Sequence, residues 1–149
     1  MFNIVLIEPE IPPNTGSVGR LCLATGAHLH LVRPLGFSLD DRQLKRAGLD
    51  YWHKVNVTLW DSFDELQTAH AAARFFFLTT KATRAHWSER FRDGDFFIFG
   101  RETKGLPEPL LAANREHCLT IPMNADSTRS LNLSTAVAIV LYEALRQNV

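Results

Sequence analysis

Four side chains in this sequence have the chemistry and surroundings of a working site: Asn14, Arg20, Glu102 and Asn132. Three of them sit in polar loops bearing glycine or proline, Glu8 to Gly19 (EPEIPPNTGSVG), Gly100 to Pro107 (GRETKGLP) and Pro122 to Ser134 (PMNADSTRSLNLS), and Arg20 follows the first loop directly. A guanidinium is a permanent cation whose donors match a phosphate or a developing oxyanion, whereas an asparagine can orient a ligand from either end of its amide. Simpler roles stand beside these. Asn14 and Asn132 are both good helix caps, and Glu102 can be an exposed loop residue. Arg20 falls among Val18, Leu21 and Cys22, an otherwise apolar helix face, where it calls for an anionic partner.

Several chemistries drop out on spacing. Gly100 and Gly105 have the separation of a phosphate-binding P-loop, but Leu106 and Pro107 replace the lysine and hydroxyl that would hold phosphate and magnesium. Gly16 and Gly19 supply half of a dinucleotide-binding turn. The six histidines, His28, His30, His53, His70, His86 and His117, are scattered, and no cluster of His, Cys and acid has metal-ligand spacing, so no metal is expected. A G-x-S-x-G nucleophile elbow is absent too.

Short β-rich apolar runs alternate with helical patterns, which predicts an α/β fold with a parallel sheet flanked by helices. Six strands are expected, at Asn3 to Ile7, His28 to Val32, Val55 to Leu59, Phe75 to Thr79, Phe96 to Phe99 and Cys118 to Ile121. Helices are expected near Thr15 to Ala24, Asp40 to Ala47, Phe63 to Ala73, Pro107 to Ala113 and Asn132 to Gln147. Ser62 and Glu65 form a capping-box pattern, and Asn14 after Pro12 and Pro13 reads as a cap for the first helix. Ligands in such sheets sit beyond the carboxyl ends of the strands. That places the chemistry in the loops after Ile7, Thr79, Phe99 and Ile121. From Thr135 to Leu141 the last helix is apolar nearly all round, which predicts burial on more than one side.

With 149 residues, 46% of them hydrophobic and 21% charged, the chain is read as one compact domain over residues 1–149. Cys22 and Cys118 lack a C-x-x-C partner, and no targeting or membrane-spanning stretch is visible, so a reducing cytosol is the expected compartment. Sixteen basic and sixteen acidic residues cancel, leaving the whole chain without the electrostatic sign of a nucleic-acid binder. The basic residues do gather locally, as Arg42, Lys45 and Arg46 and as Arg84, Arg90, Arg92, Arg101 and Lys104. A solvated helix face is the simpler reading of such groups.

Taken together, EPEIPPNTGSVGRLC (Glu8 to Cys22), FGRETKGLP (Phe99 to Pro107), IPMNADSTRSLNLSTAVAIVLYEA (Ile121 to Ala144) and LKRAGLDYW (Leu44 to Trp52) resemble the SPOUT RNA methyltransferases. Within them the chain resembles the short tRNA (cytidine/uridine-34) 2′-O-methyltransferases over its whole length. The resemblance implies a C-terminal trefoil knot, a homodimer, and S-adenosyl-L-methionine held mostly by backbone in loops containing Leu78, Gly100, Ile121, Met123, Ser130 and Leu131. It implies a tRNA anticodon stem-loop as partner, and catalytic roles for Asn14, Arg20, Glu102 and Asn132. Arg101 stands where many relatives have proline, which puts the stiffness of that loop in question.

Proposals for the family make the arginine matching Arg20 the general base. Because a guanidinium stays protonated near neutrality, gripping a phosphate and stabilising alkoxide charge suits it better. Asn132 is expected to orient ribose or cofactor. Ribosomal RNA methylation, a non-catalytic RNA-binding dimer and a small-molecule-binding α/β protein are the competing readings.

Overall fold

The computed structural model describes residues 1–47 and 49–149; Gly48, within the Leu44 to Trp52 stretch, and the side chains of Lys45, Ala47, Leu49 and Asp50 lie outside the described residues. Six strands form one sheet: β1 (Asn3–Ile7), β2 (His28–Val32), β3 (Val57–Trp60), β4 (Phe75–Leu78), β5 (Phe96–Phe99) and β6 (Cys118–Leu119). Their order is β3-β2-β1-β5-β4-β6, and every pairing is parallel. The helices are α1 (Pro12–Thr25), α2 (Arg42–Ala47), α3 (Phe63–Ala69), α4 (Glu108–Ala113) and α5 (Leu133–Gln147).

Helices cover both faces of the sheet, which is why most of its strand positions are apolar. On one face Ile4, Leu6, Leu29, Leu31, Phe97 and Phe99 pack with Val18 and Cys22 of α1 and with Leu133, Val137, Val140, Leu141 and Ala144 of α5. On the other, Val5, Ile7, Val32, Phe77, Phe96 and Ile98 meet Leu66 of α3 and Leu111 of α4. The last helix was expected to be buried on more than one side, and this stripe is one of them. Within the chain, however, Ala136, Ala138 and Ile139 are only half-buried and Tyr142 is 52% exposed.

Differences at element ends have local causes. Pro12 and Pro13 begin α1 earlier than the apolar periodicity shows, since proline fits a first turn that has no use for its missing N–H. Gly26 ends that helix at φ +76°. α2 starts at Arg42 because Asp41 Oδ1 accepts the amides of Gln43 and Leu44 at 2.7 and 3.3 Å. β3 begins two residues late, with Val55 held in a turn by the Trp52 carbonyl at 3.1 Å. α3 stops at Ala69, where the His70 amide turns back to Leu66 and Gln67; Ser62 caps its start as expected, accepting the Glu65 amide at 3.1 Å. β6 is cut short because Thr120 turns to pair with the 84–86 segment instead, donating to Arg84 and accepting from His86.

One histidine is built into the sheet. The Trp60 indole, which can only donate, gives its proton to His30 Nδ1 at 3.0 Å, so Nε2 carries the ring proton and donates to Asn3 Oδ1 at 3.0 Å. Burial, then His28 and His70, press its pKa down to about 3. Between about pH 6.5 and that value the unfolded chain binds a proton that the folded chain refuses, so stability falls as the solution is acidified. His30→Gln is expected to remove about 2 kcal/mol of the stability lost between pH 7 and pH 5. Urea unfolding at the two pH values measures it; an unchanged pH slope would count against this origin.

Candidate active site

All strands being parallel, their carboxyl ends share one edge, and the order β1-β5-β4-β6 makes neighbours of the four loops expected to carry chemistry. A cavity of about 490 Å³ opens there. It is lined by all six residues expected around a cofactor, Leu78, Gly100, Ile121, Met123, Ser130 and Leu131, and by Asn14, Glu102 and Asn132. Arg20 is not among the lining residues.

Gly100 owes its place to the loop's own packing. A Cβ there would lie 2.1 Å from the Gly105 carbonyl carbon and 2.3 Å from the Leu106 nitrogen, so no other residue fits. Gly105, at φ +67°, supplies the reversal, and its amide bonds to the Arg101 carbonyl at 2.8 Å. The turn is therefore pinched shut at its base with arginine at position 101, without need of a proline.

Asn14 is not the cap of α1. That position is Ile11, whose side chain cannot accept a hydrogen bond, and Asn14 lies inside the first turn. Glu102 does the capping from the neighbouring loop after β5: Oε1 accepts the Glu10 amide at 2.9 Å, and Oε2 accepts the Ile11 amide at 3.0 Å and Asn14 Nδ2 at 3.3 Å. A carboxylate there satisfies amides without helical partners and complements the helix dipole. Glu102 is thus half-buried and engaged, not free in a loop.

Asn14 Oδ1 in turn accepts from Asn132 Nδ2 at 3.1 Å. Asn132 caps α5 as expected, its Oδ1 accepting the Ser134 amide at 2.9 Å, the Thr135 amide at 3.4 Å and the Ser134 hydroxyl at 2.6 Å. One chain of bonds, Glu102 to Asn14 to Asn132, ties the β5 turn and the starts of α1 and α5 together around the cavity. Arg20 stands apart. It is exposed, and among the described residues its side chain has no ion pair or hydrogen bond, so the anionic partner expected for it is not found among them. Its helix turns Val18 and Cys22 inward and Arg20 outward.

The charge at the cavity was hidden by the neutral total. Lys81, Arg101, Lys104 and Arg129 all line it, and of these only Lys81 has an ion-pair partner among the described residues, Glu108. The sequence grouping of Arg101 and Lys104 with Arg84, Arg90 and Arg92 is thereby split: the last three do not line the cavity, and Arg84 is paired with Glu89. Arg129 was missed because it has no basic neighbour in sequence, and Lys81 because the grouping began three residues later, at Arg84. Their signal was position alone, in loops following β4 and β6. Among the described residues no group of three His, Cys, Asp or Glu side chains is placed to hold a metal ion.

The SpoU rRNA Methylase family model matches residues 1–142. The chain is 51% identical over 148 residues to the tRNA (cytidine(34)-2'-O)-methyltransferase of Escherichia coli (strain K12), covering 99% of this chain and 94% of that one. A solved structure described as giving insights into the 2-OH methylation of C/U34 on tRNA superposes with a TM-score of 0.94 at 48% identity, covering 99% and 96% of the two chains. The SpoU methyltransferase AviRb from Streptomyces viridochromogenes, solved with AdoMet, shares the fold at a TM-score of 0.85 and 23% identity, covering 98% of this chain and 57% of that one. Carrying the SPOUT-like motifs on a matching sheet and matched from its first residue through most of α5, the chain belongs to the SpoU rRNA methylase family.

Proposed function

We propose that this chain is a tRNA ribose 2′-O-methyltransferase acting on nucleotide 34 of the anticodon stem-loop, with S-adenosylmethionine as methyl donor, working as a cytosolic homodimer. The observation that carries the reading is the cavity itself, where the six residues expected at the cofactor meet the Glu102–Asn14–Asn132 chain under a rim of cations. Its volume suits a small-molecule ligand, typically ~300–1,000 Å³. The apolar walls of Leu78, Ile121, Met123 and Leu131 would hold the cofactor's uncharged parts, and backbone near Gly100 and Ser130 its polar groups. S-adenosylmethionine supplies an electrophilic methyl group on a sulfonium when bound.

In this reading Asn14, Glu102 and Asn132 position: their hydrogen bonds go to one another and to helix starts, which fixes the walls within which a 2′-hydroxyl must line up. Arg101, Lys104 and Arg129, which line the cavity, bind RNA phosphates in this reading, the contribution that dominates affinity for nucleic acid. Arg20, charged and uncommitted, grips a phosphate or stabilises the forming alkoxide. The half-covered Ala136, Ile139 and Tyr142 on α5 support a second subunit, and the trefoil knot implied by the resemblance belongs to the same proposal. No helix among the described residues is long and apolar enough to cross a membrane.

Purified protein with labelled S-adenosylmethionine, bulk tRNA and ribosomal RNA tests the proposal. Label is expected in tRNA, recovered after digestion as an alkali-resistant dinucleotide containing residue 34. Methyl on a base, or on ribosomal RNA alone, would refute it.

A further inference from the structure

The segment before α1 and the turn after β5 exchange carboxylates. Glu102 reaches across to the amides of Glu10 and Ile11, and Glu10 reaches back: its Oε1 accepts the Thr103 amide at 3.0 Å and the Thr103 hydroxyl at 2.8 Å. The two bonds from Thr103 hold the Glu10 carboxyl below the usual range, the amide contributing most. Glu10 is itself firmly seated. Gly36, whose amide donates to the Pro9 carbonyl at 2.9 Å, lies so close that a Cβ on it would stand 2.9 Å from the Glu10 Cα.

The turn that Glu10 grips is closed at its base by the contact of Gly100 with Gly105, which leaves the tip to be fixed separately. Glu102 fixes the tip to α1. Thr103 and Lys104, next along, are exposed wall of the cavity, and for Thr103 both recorded bonds run to Glu10. A carboxylate that accepts N–H and O–H from one residue sets both its backbone direction and its side-chain rotamer, and a charged acceptor makes the stronger kind of hydrogen bond.

We propose that Glu10 is a positioning residue: by holding Thr103 it keeps the tip of the 100–106 turn in place as a wall of the S-adenosylmethionine site. The proposal rests on the reading of the cavity given above. Removing the latch lets the wall move in the free protein, and cofactor binding must then restore order that the native chain has beforehand. Binding is therefore weakened more than the reaction of the bound complex.

Glu10→Ala is expected to weaken S-adenosylmethionine binding about 10-fold by calorimetric titration and to raise its KM similarly, while kcat at saturating cofactor falls by less than about 3-fold. Glu10→Gln keeps an acceptor oxygen of the same reach and should recover most of the affinity. Thr103→Val, which loses the hydroxyl donor, should weaken binding less than Glu10→Ala, and the double variant should be no worse than Glu10→Ala alone. Unchanged affinity in Glu10→Ala overturns the latch, as do additive effects of the two substitutions. A loss of kcat with cofactor affinity intact does so as well. If the unsubstituted protein binds S-adenosylmethionine but methylates no tRNA, the substrate reading fails and the titrations still decide the latch; if it binds none, both fail.

Discussion

Arg20→Ala is expected to cut tRNA methylation about 100-fold or more at saturating S-adenosylmethionine, as loss of a transition-state charge partner commonly does. Cofactor affinity and melting temperature should stay close to those of the unsubstituted chain. The side chain is exposed and has no ion pair or hydrogen bond among the described residues, so its removal breaks no recorded interaction within the fold. It is also absent from the cavity lining, standing about 9 Å along α1 from Asn14 at helical rise. A cation left uncommitted beside a site is available to a substrate. Arg20→Lys tests the geometry of that contact, because an ammonium cannot reproduce a two-pronged grip on phosphate. Equal loss of cofactor affinity, or a marked drop in melting temperature, would show that Arg20 serves the cofactor or the fold.

Val140→Asp is expected to unfold the chain, and Ile139→Asp to leave it folded but monomeric. Val140 is fully buried between α5 and the sheet, and a lone carboxylate there costs several kcal/mol, a large part of a total stability of ~5–15 kcal/mol. Ile139, one residue before it, is half-buried and lies off that stripe. A charge there is tolerated in a protomer and not in an interface. Because α5 is capped by Asn132, which lines the cavity, loosening the helix should also weaken S-adenosylmethionine binding. Sedimentation beside cofactor titration decides: a dimeric Ile139→Asp removes α5 from the interface, and a folded monomer with undiminished cofactor affinity shows that assembly and binding are uncoupled.

The layered fold was legible because each strand is a short apolar run flanked by turn residues, and parallel packing needs no more than that pattern. Asn132 was legible as a cap because its partners, Ser134 and Thr135, are two and three residues away. Asn14 was read as a cap by the same local logic and is not one. Its amide is taken by Glu102 and Asn132, 88 and 118 residues distant, and no local pattern records such a partner. Arg20 was placed with Val18, Leu21 and Cys22 by proximity in sequence, whereas Arg20 and Val18, two positions apart on a helix, face different ways. The cationic rim escaped for a related reason. It is assembled by strand order from three loops, and a count of charges cannot see which of them converge.

The bonds from Glu102 to Ile11 and from Asn132 to Asn14 also set a condition on how the molecule is made. The start of α1 leaves the ribosome early, yet its cap is supplied 91 residues later and its tie to α5 comes 118 residues after Asn14. At ordinary synthesis rates the N-terminal segment waits roughly 6–24 s for that second partner. Until then the first helix has open amides, the last wall of the cavity does not exist, and neither ligand has a place to bind. A nascent or prematurely terminated chain that lacks Asn132 therefore lacks the tie between α1 and α5, and the cavity is completed only near the end of translation.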